Sequence, residues 1–169
     1  GGLTVNRIAK WNGTLWSALG TGFSNTVNTL ALSSSGDLYA GGNFTLAGGT
    51  TVNRIARWNG TSWSSLGTGM DNTVSVLAVD SGGTLYAGGS FTTAGGTAVN
   101  RIARWNGTSW SGVGTGMNNT VSALAFDSSG NLYAGGTFTT AGGATVNRIA
   151  RWNGTSWSGL GTGMSGLVN

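Results

Sequence analysis

Hydrophobic residues along this chain follow one another in short extended runs that are separated by glycine-rich turns. Residues 74–80 are apolar on both alternating faces, which is typical of a strand buried on two sides. Residues 85–91, 99–105 and 108–113 are also extended in character, with β-branched and aromatic side chains. Asn106-Gly107 predicts a tight hairpin turn between the last two runs, because both residues tolerate a positive φ. The pattern therefore predicts four strands and no helix.

Tryptophans repeat with a period of 47 residues, and this period defines the unit of the fold. Residues 48–94 and 95–141 differ at only nine of 47 positions, which indicates recent duplication or deliberate design. Four short strands in a unit of this length match a β-propeller blade, and the alternative is a β-solenoid, whose coils are usually shorter. The sequence thus predicts an all-β protein. It would be a β-propeller made of 47-residue four-stranded antiparallel blades, with about 3.5 blades in the 169-residue chain.

The repeat predicts that residues 1–169 form a single array of blades. Whole blades are expected over 26–70, 73–117 and 120–164, and residues 5–23 supply only the two outer strands of another blade. Fourteen strands are too few for the smallest usual ring of four four-stranded blades, so the array is expected to be open. Two explanations remain: chains self-associate, for example as a dimer with 28 strands and thus seven blades, or the chain belongs to a longer propeller.

The residue composition excludes most kinds of catalytic site and metal-binding site. Histidine, cysteine and glutamate are absent, which excludes Ser-His-Asp and Cys-His catalysis, haem ligation and ordinary zinc sites. The four acidic residues are expected to accept hydrogen bonds from backbone N–H groups in turns, and they are Asp37, Asp71, Asp80 and Asp127. We therefore expect no enzyme activity, no cofactor and no metal ion.

The net charge of +4 comes from eight Arg and Lys residues against four Asp, and it does not form a basic cluster. The cations recur as spaced pairs, such as Arg54 and Arg57, without a run of five or more. No nucleic acid partner is expected for that reason. No apolar run approaches 18 residues, so no membrane insertion is expected either.

An Asn-Arg pair and a tryptophan recur in every unit and form the candidate ligand-binding site. The twelve residues are Asn6, Arg7, Trp11, Asn53, Arg54, Trp58, Asn100, Arg101, Trp105, Asn147, Arg148 and Trp152. Guanidinium groups beside tryptophans would bind acidic sugars or carboxylates, with the indole stacked on a pyranose ring. The structural alternative is that each Arg lies over a tryptophan or donates to loop carbonyls between blades, because fold-defining residues also repeat in every unit.

The repeat as a whole predicts a non-enzymatic scaffold or interaction module, either a natural extracellular protein or a designed symmetric propeller. The alternative function is a multivalent, lectin-like carbohydrate-binding propeller, in which equivalent pockets in every unit would bind a glycan.

Three stretches carry a resemblance to known repeats. They are residues 85–92 (Leu-Tyr-Ala-Gly-Gly-Ser-Phe-Thr), 94–96 (Ala-Gly-Gly) and 100–107 (Asn-Arg-Ile-Ala-Arg-Trp-Asn-Gly). They resemble repeats of bacterial secreted β-propellers of the kelch and galactose-oxidase-like group, and are similar to repeats of fungal bud-site polarity marker proteins. The resemblance covers essentially the whole chain and implies a non-catalytic repeat domain at an extracellular or cell-surface location. The copper ligands of galactose oxidase have no counterpart here, since histidine and cysteine are absent.

Overall fold

The computed structural model describes residues 2 and 4–169, and these contain strands and turns but no helix. A two-stranded sheet comes first, and we call it the half blade; its strands are β1 (Ala9–Trp11) and β2 (Trp16–Ala18). The next repeat comprises β3 (Val27–Leu32), β4 (Leu38–Gly42), β5 (Leu46–Ala47), β6 (Thr50–Thr51), β7 (Ile55–Trp58) and β8 (Trp63–Ser65). The following one comprises β9 (Val74–Val79), β10 (Leu85–Gly89), β11 (Thr93–Ala94), β12 (Thr97–Ala98), β13 (Ile102–Trp105) and β14 (Trp110–Gly112). The last comprises β15 (Val121–Phe126), β16 (Leu132–Gly136), β17 (Thr140–Ala141), β18 (Ala144–Thr145), β19 (Ile149–Trp152) and β20 (Trp157–Gly159).

Each of these three repeats forms one four-stranded antiparallel sheet, and we call them the first, second and third blades. The strand orders are β3-β4-β7-β8, β9-β10-β13-β14 and β15-β16-β19-β20. The first strands, β3, β9 and β15, contact one another in turn, so they are the inner strands of successive blades. The predicted all-β propeller with about 3.5 four-stranded blades is confirmed.

The short hairpin between the second and third strands of each blade was not predicted. In the second blade the Gly95-Gly96 pair, which lies between two of the predicted extended runs, forms the tip of the β11–β12 hairpin. Both glycines have a positive φ, 58° and 84°. The strand predicted from residue 99 begins only at Ile102, because the backbone of Arg101 lies in the left-handed region, with a φ of 62°. Sequence periodicity detects extended runs but not such a single non-glycine residue with positive φ.

The turn at Asn106 differs from the predicted one. Gly107 has a φ of 98°, whereas Asn106 does not have a positive φ. Instead, the Asn106 side-chain oxygen accepts hydrogen bonds from the backbone N–H groups of Thr108 and Ser109, at 2.9 and 2.8 Å. The asparagine thus closes the turn through its side chain, and Asn12, Asn59 and Asn153 do the same in the other repeats.

Neighbouring blades interlock where a glycine on the second strand receives a valine from the next inner strand. A Cβ atom on Gly88 would lie 2.6 Å from a methyl carbon of Val121, and one on Gly41 would lie 2.5 Å from Val74. Val74 and Val121 are completely buried as a result. Val168 lies against Gly135 in the same way, at the position that Val74 and Val121 occupy on the preceding blades.

We expect Gly88→Ala to destabilise the fold, because the added methyl group must displace Val121 or the backbone of β10. Overpacking of this kind typically costs about 1–3 kcal/mol. The measurement is the free energy of unfolding from denaturant titration followed by tryptophan fluorescence. Gly112→Ser is the matched control, since the equivalent position of the first blade is already Ser65. Its effect should stay within about 0.5 kcal/mol, as for most surface substitutions. Equal losses in both variants would contradict the packing explanation.

Candidate functional site

The Asn-Arg pairs lie where the chain passes from the short hairpin to the third strand of each sheet. Arg7, Arg54, Arg101 and Arg148 all have a positive φ, between 62° and 69°. This conformation is unfavourable for a side-chain-bearing residue, so surrounding contacts must hold it in place. In the first blade the Arg54 N–H donates to the Phe44 carbonyl at 2.7 Å, and the Arg54 carbonyl accepts from the Gly42 N–H at 3.0 Å. The arginine backbone therefore bridges the second strand and the hairpin.

The side chains of these pairs are bonded mainly to loop carbonyls. Each Asn side chain donates to a threonine carbonyl fifteen residues later; Asn53, for example, donates to Thr68 at 3.0 Å. The Arg54 guanidinium donates to the Met70 carbonyl at 2.9 Å, and Arg7 and Arg148 make the equivalent bond. Among the described residues, the Arg101 guanidinium has no such bond. In three of the four copies the arginine thus holds the loop that leads to the next blade.

The structure does not bring the tryptophans of the candidate site beside these arginines. Arg54 immediately precedes β7, whereas Trp58 is its last residue, so at the usual rise their Cα atoms lie about 13 Å apart. Trp58 packs instead on Trp63 across the hairpin, with ring centroids 5.3 Å apart. The same tilted pairing occurs for Trp11, Trp105 and Trp152 with the tryptophan five residues later, each at 5.4 Å.

Two equivalent polar grooves surround Asn-Arg pairs. One, of about 350 Å³, is lined by Asn6, Arg7, Thr21, Ser24 and Leu46 among others. The other, of about 300 Å³, is lined by Asn100, Arg101, Thr115, Asn118 and Thr140, the corresponding residues two repeats later. A smaller groove of about 170 Å³ contains Trp105 with Tyr39 and Thr84. The arginines and tryptophans therefore line separate surfaces.

The aspartates are engaged in hydrogen bonds within turns and between segments. The Asp71 carboxylate accepts from the backbone N–H groups of Thr92 and Thr93 and from the Thr92 hydroxyl. Partial burial raises the pKa of Asp71, but these hydrogen bonds together outweigh it and hold the pKa below its usual value. No group of three or more Asp, Glu, His or Cys side chains within residues 2 and 4–169 is arranged to bind a metal ion.

Two other aspartates also bind nearby donor groups. Hydrogen bonds from the side chain and backbone of Asn131 lower the pKa of Asp127, with a further contribution from Tyr133. Asp37 forms an ion pair with Arg57 at 2.9 Å, and its hydrogen bond raises the pKa of the guanidinium. These carboxylates therefore stabilise a turn and a surface ion pair.

One hydrophobic surface, not predicted from the sequence, distinguishes the two ends of the array from its interior. It consists of hydrophobic residues that are exposed although a counterpart of each in the interior repeats is buried, and it includes Trp16, Leu30 and Met164. Leu32 is exposed too, whereas its counterparts Val79 and Phe126 are partly buried. A signal was present, because residues 5–23 contain only two of the four strands of a unit.

The comparison with known families agrees with the fold. A family model described as a β-propeller domain of unknown function (DUF5122) matches residues 128–154. These residues contain β16, β19 and the β17–β18 hairpin of the third blade. No curated protein matches the chain. Together with the repeated four-stranded sheets, the match identifies a propeller-like repeat protein.

The described residues contain no helix that is long and apolar enough to cross a membrane.

We expect Asp71→Asn to reduce the acid sensitivity of the fold. Because the folded-state pKa of Asp71 is lowered, its stabilisation is present above the unfolded-state value near 3.9 and is lost as the pH falls through the folded-state pKa. Asn118 occupies the equivalent position and accepts the corresponding two N–H bonds, so asparagine preserves the geometry. The free energy of unfolding, measured between about pH 7 and pH 2, should fall less steeply for the variant at the acidic end.

Asn118→Asp is the reciprocal control and should steepen the acidic fall. If neither substitution alters that part of the profile, the assigned role of the Asp71 carboxylate is wrong.

Proposed function

We propose that the chain is a non-enzymatic repeat scaffold whose copies associate head to tail by continuing the stack of blades. The observation that carries the proposal is that the two ends of the array expose the two halves of the contact that joins blades inside it. The absence of His and Cys and the use of the carboxylates in turns support a non-enzymatic role.

The internal contact is built in the same way at each blade junction. Trp63 donates its indole N–H to the Leu19 carbonyl at 3.0 Å, and Phe23 packs on Trp63 with ring centroids 4.6 Å apart. Trp110 makes the same bond to Leu66, and Trp157 to Val113. At these later junctions Met70 and Met117 replace Phe23 in the buried clusters. An indole from one blade thus meets a carbonyl and a large apolar side chain from the blade before it.

Both partners of this contact are exposed at the ends. Trp16 is 49% exposed, whereas the equivalent Trp63 is 5% exposed. Met164 is 47% exposed, whereas the equivalent Met117 is 2% exposed. Trp16 of one copy therefore complements Leu160 and Met164 of another. Such a head-to-tail contact closes into a ring or continues as a filament, depending on the rotation between copies.

The proposal includes a location outside the cell or at the cell surface. Its support is the resemblance of residues 85–107 to repeats of secreted and surface propellers of the kelch-like group. Spaced arginines without a basic run argue against nucleic acid as the partner.

Light scattering tests the association. The wild-type chain should have a mass that is a multiple of 16.9 kDa, and a discrete dimer is the species that the strand count favours. Trp16→Glu and Met164→Glu should each yield monomers, because each charge removes one half of the contact. Mixed in equal amounts, the two variants should form a dimer through their remaining intact ends.

Circular dichroism controls for folding of both variants, and Thr108→Glu, in an exposed turn, controls for added charge. A wild-type chain that stays monomeric at high concentration would falsify the proposed association. Failure of two folded variants to complement each other would exclude the head-to-tail contact.

Multivalent carbohydrate binding is the second candidate function, and the repeated polar groove favours it. The grooves at Asn6-Arg7 and Asn100-Arg101 present the same combination of guanidinium, amide and hydroxyl groups. This chemistry suits an acidic sugar. The exposed part of Trp105 lines a different groove and would take part only in a larger glycan.

Titration with acidic oligosaccharides should then show several similar sites per chain. Arg101→Ala should remove one of them, and Arg104→Ala, an exposed arginine outside both grooves, should remove none. Absence of binding across a broad glycan array would dismiss this function.

A further inference from the structure

A groove at the junction of the first and second blades combines part of an indole ring with several polar groups. Its volume is about 170 Å³. The first blade contributes Tyr39, and the second blade contributes Thr84, Trp105, Asn106 and three glycines from the turns after β9 and β13. None of these side chains carries a charge at neutral pH. The groove is therefore suited to a neutral ligand.

The polar groups of this groove are free to bind a ligand. Within the described residues the hydroxyls of Tyr39 and Thr84 form no hydrogen bond, and no buried side-chain N or O atom there lacks a partner, so both hydroxyls reach the solvent. The Asn106 side-chain oxygen is used in its own turn, but its amide nitrogen has no partner among the same residues. Burial and the nearby Asp37 carboxylate raise the pKa of Tyr39, so its hydroxyl keeps its proton and can donate.

The differences between two nearly identical repeats are concentrated around this groove. Residues 48–94 and 95–141 differ at nine positions, and three of them lie at this corner of the blade. At these three positions the second and third blades have Val79 and Phe126, Gly82 and Ser129, and Thr84 and Asn131. The second blade has the smaller side chain in every case, so the three differences together leave more space in front of its tryptophan.

The junction of the second and third blades shows what the larger side chains do. Phe126 packs edge-on against the ring of Tyr86, with centroids 5.2 Å apart. The Asn131 side chain reaches across its turn and donates to the Asp127 carboxylate at 2.8 Å. Trp152 is buried at this junction, whereas the equivalent Trp105 is partly exposed. The accessible indole is thus specific to the junction of the first and second blades.

A neutral pyranose ring matches the chemistry of the groove. Small-molecule sites combine an aromatic or apolar surface with a few placed polar groups. A pyranose offers an apolar C–H face to the Trp105 indole and hydroxyls at its rim to Tyr39, Thr84 and Asn106. A purely aromatic ligand would cover these polar groups without giving them hydrogen bonds, which carries a free-energy cost. The small volume restricts the site to a single ring.

We propose that the groove between Tyr39 and Trp105 binds one neutral pyranose ring, either free or at the end of a glycan. The site lies away from the arginine grooves, which suit an acidic sugar, and away from both ends of the array. The inference therefore goes beyond the functions proposed above and rests on neither of them.

NMR titration of the ¹⁵N-labelled chain tests the site directly. The probes are the methyl glycosides of glucose, galactose, mannose, fucose and N-acetylglucosamine. The indole N–H signal of Trp105, identified by its loss in Trp105→Phe, should shift saturably with at least one of them, with one site per chain. No saturable shift with any glycoside, or saturation by phenol alone, would overturn the proposal.

A filled groove is the first matched variant. Val79→Phe, Gly82→Ser and Thr84→Asn together give the second blade the residues that the third blade already holds beside the same tyrosine and tryptophan. The variant should therefore fold, which circular dichroism checks. It should bind the glycoside roughly tenfold or more weakly, because the added side chains occupy the space of the ring. Undiminished affinity in the folded variant would contradict the assigned site.

The reciprocal variant opens the next junction. Phe126→Val, Ser129→Gly and Asn131→Thr together should create a second site, with two glycosides per chain and a shift of the Trp152 indole signal. An unshifted Trp152 signal in the folded variant would show that these three positions do not form the site.

The site is read independently of the proposed functions. Arg101→Ala should leave glycoside binding unchanged, and loss of binding in this variant would place the sugar in the arginine groove instead. The filled variant should keep the wild-type mass in light scattering, because its substitutions lie away from Trp16 and Met164. Failure of the sugar site and failure of the head-to-tail contact are thereby distinguished.

Discussion

The contact between successive blades is the constraint on which the rest of this structure depends. A single four-stranded sheet of this length cannot bury both of its faces, and its apolar residues leave water only when the next sheet covers them. Two features make the contact specific. Glycines such as Gly88 leave room for the valine of the following inner strand, and the buried indole of Trp110 finds its hydrogen-bond partner in the Leu66 carbonyl of the preceding blade. The repetition in the sequence follows from this requirement. Every blade must supply an indole for the contact with the blade before it and a carbonyl for the contact with the blade after it.

The same constraint explains why the ends differ from the interior. Trp16 and Met164 are chemically the same as residues that are buried in the other repeats, and they are exposed because no blade within the described residues covers them. The half blade adds a second kind of incompleteness, since its open β1 edge and Leu32 lack the hairpin that whole blades provide. In a protein whose internal units are nearly identical, the surface differs most from one repeat to another at positions where a repeated contact is left unfinished.

The Asn-Arg pairs illustrate how repetition by itself does not distinguish a ligand site from a structural device. Arg54 adopts a left-handed backbone and anchors the loop through the Met70 carbonyl, which is a structural task needed in each blade. Arg101 lacks that bond among the described residues and lines an open polar groove, so its guanidinium is not committed to a loop carbonyl as that of Arg54 is. The grooves and the tryptophans remain separate features of the surface, because they lie at opposite ends of the third strand.

The sequence alone determined the period, the four main strands of each unit, the lack of helices in the part of the chain that the structure describes, and the pairing of tryptophans across the outer hairpin. These follow from local chemistry: alternation of apolar residues, glycine breaks and the spacing of Trp105 and Trp110 around one turn. Only the tertiary structure decided that Arg101 leaves the extended conformation, that Gly95-Gly96 forms a hairpin of its own, and that Asn106 closes its turn with a side chain. The tertiary structure alone also showed that the arginines lie apart from the tryptophans and that Trp16 and Leu32 are exposed. Burial depends on which sheet lies next to a residue, and the sequence of a residue's own repeat does not show whether that neighbouring sheet is present.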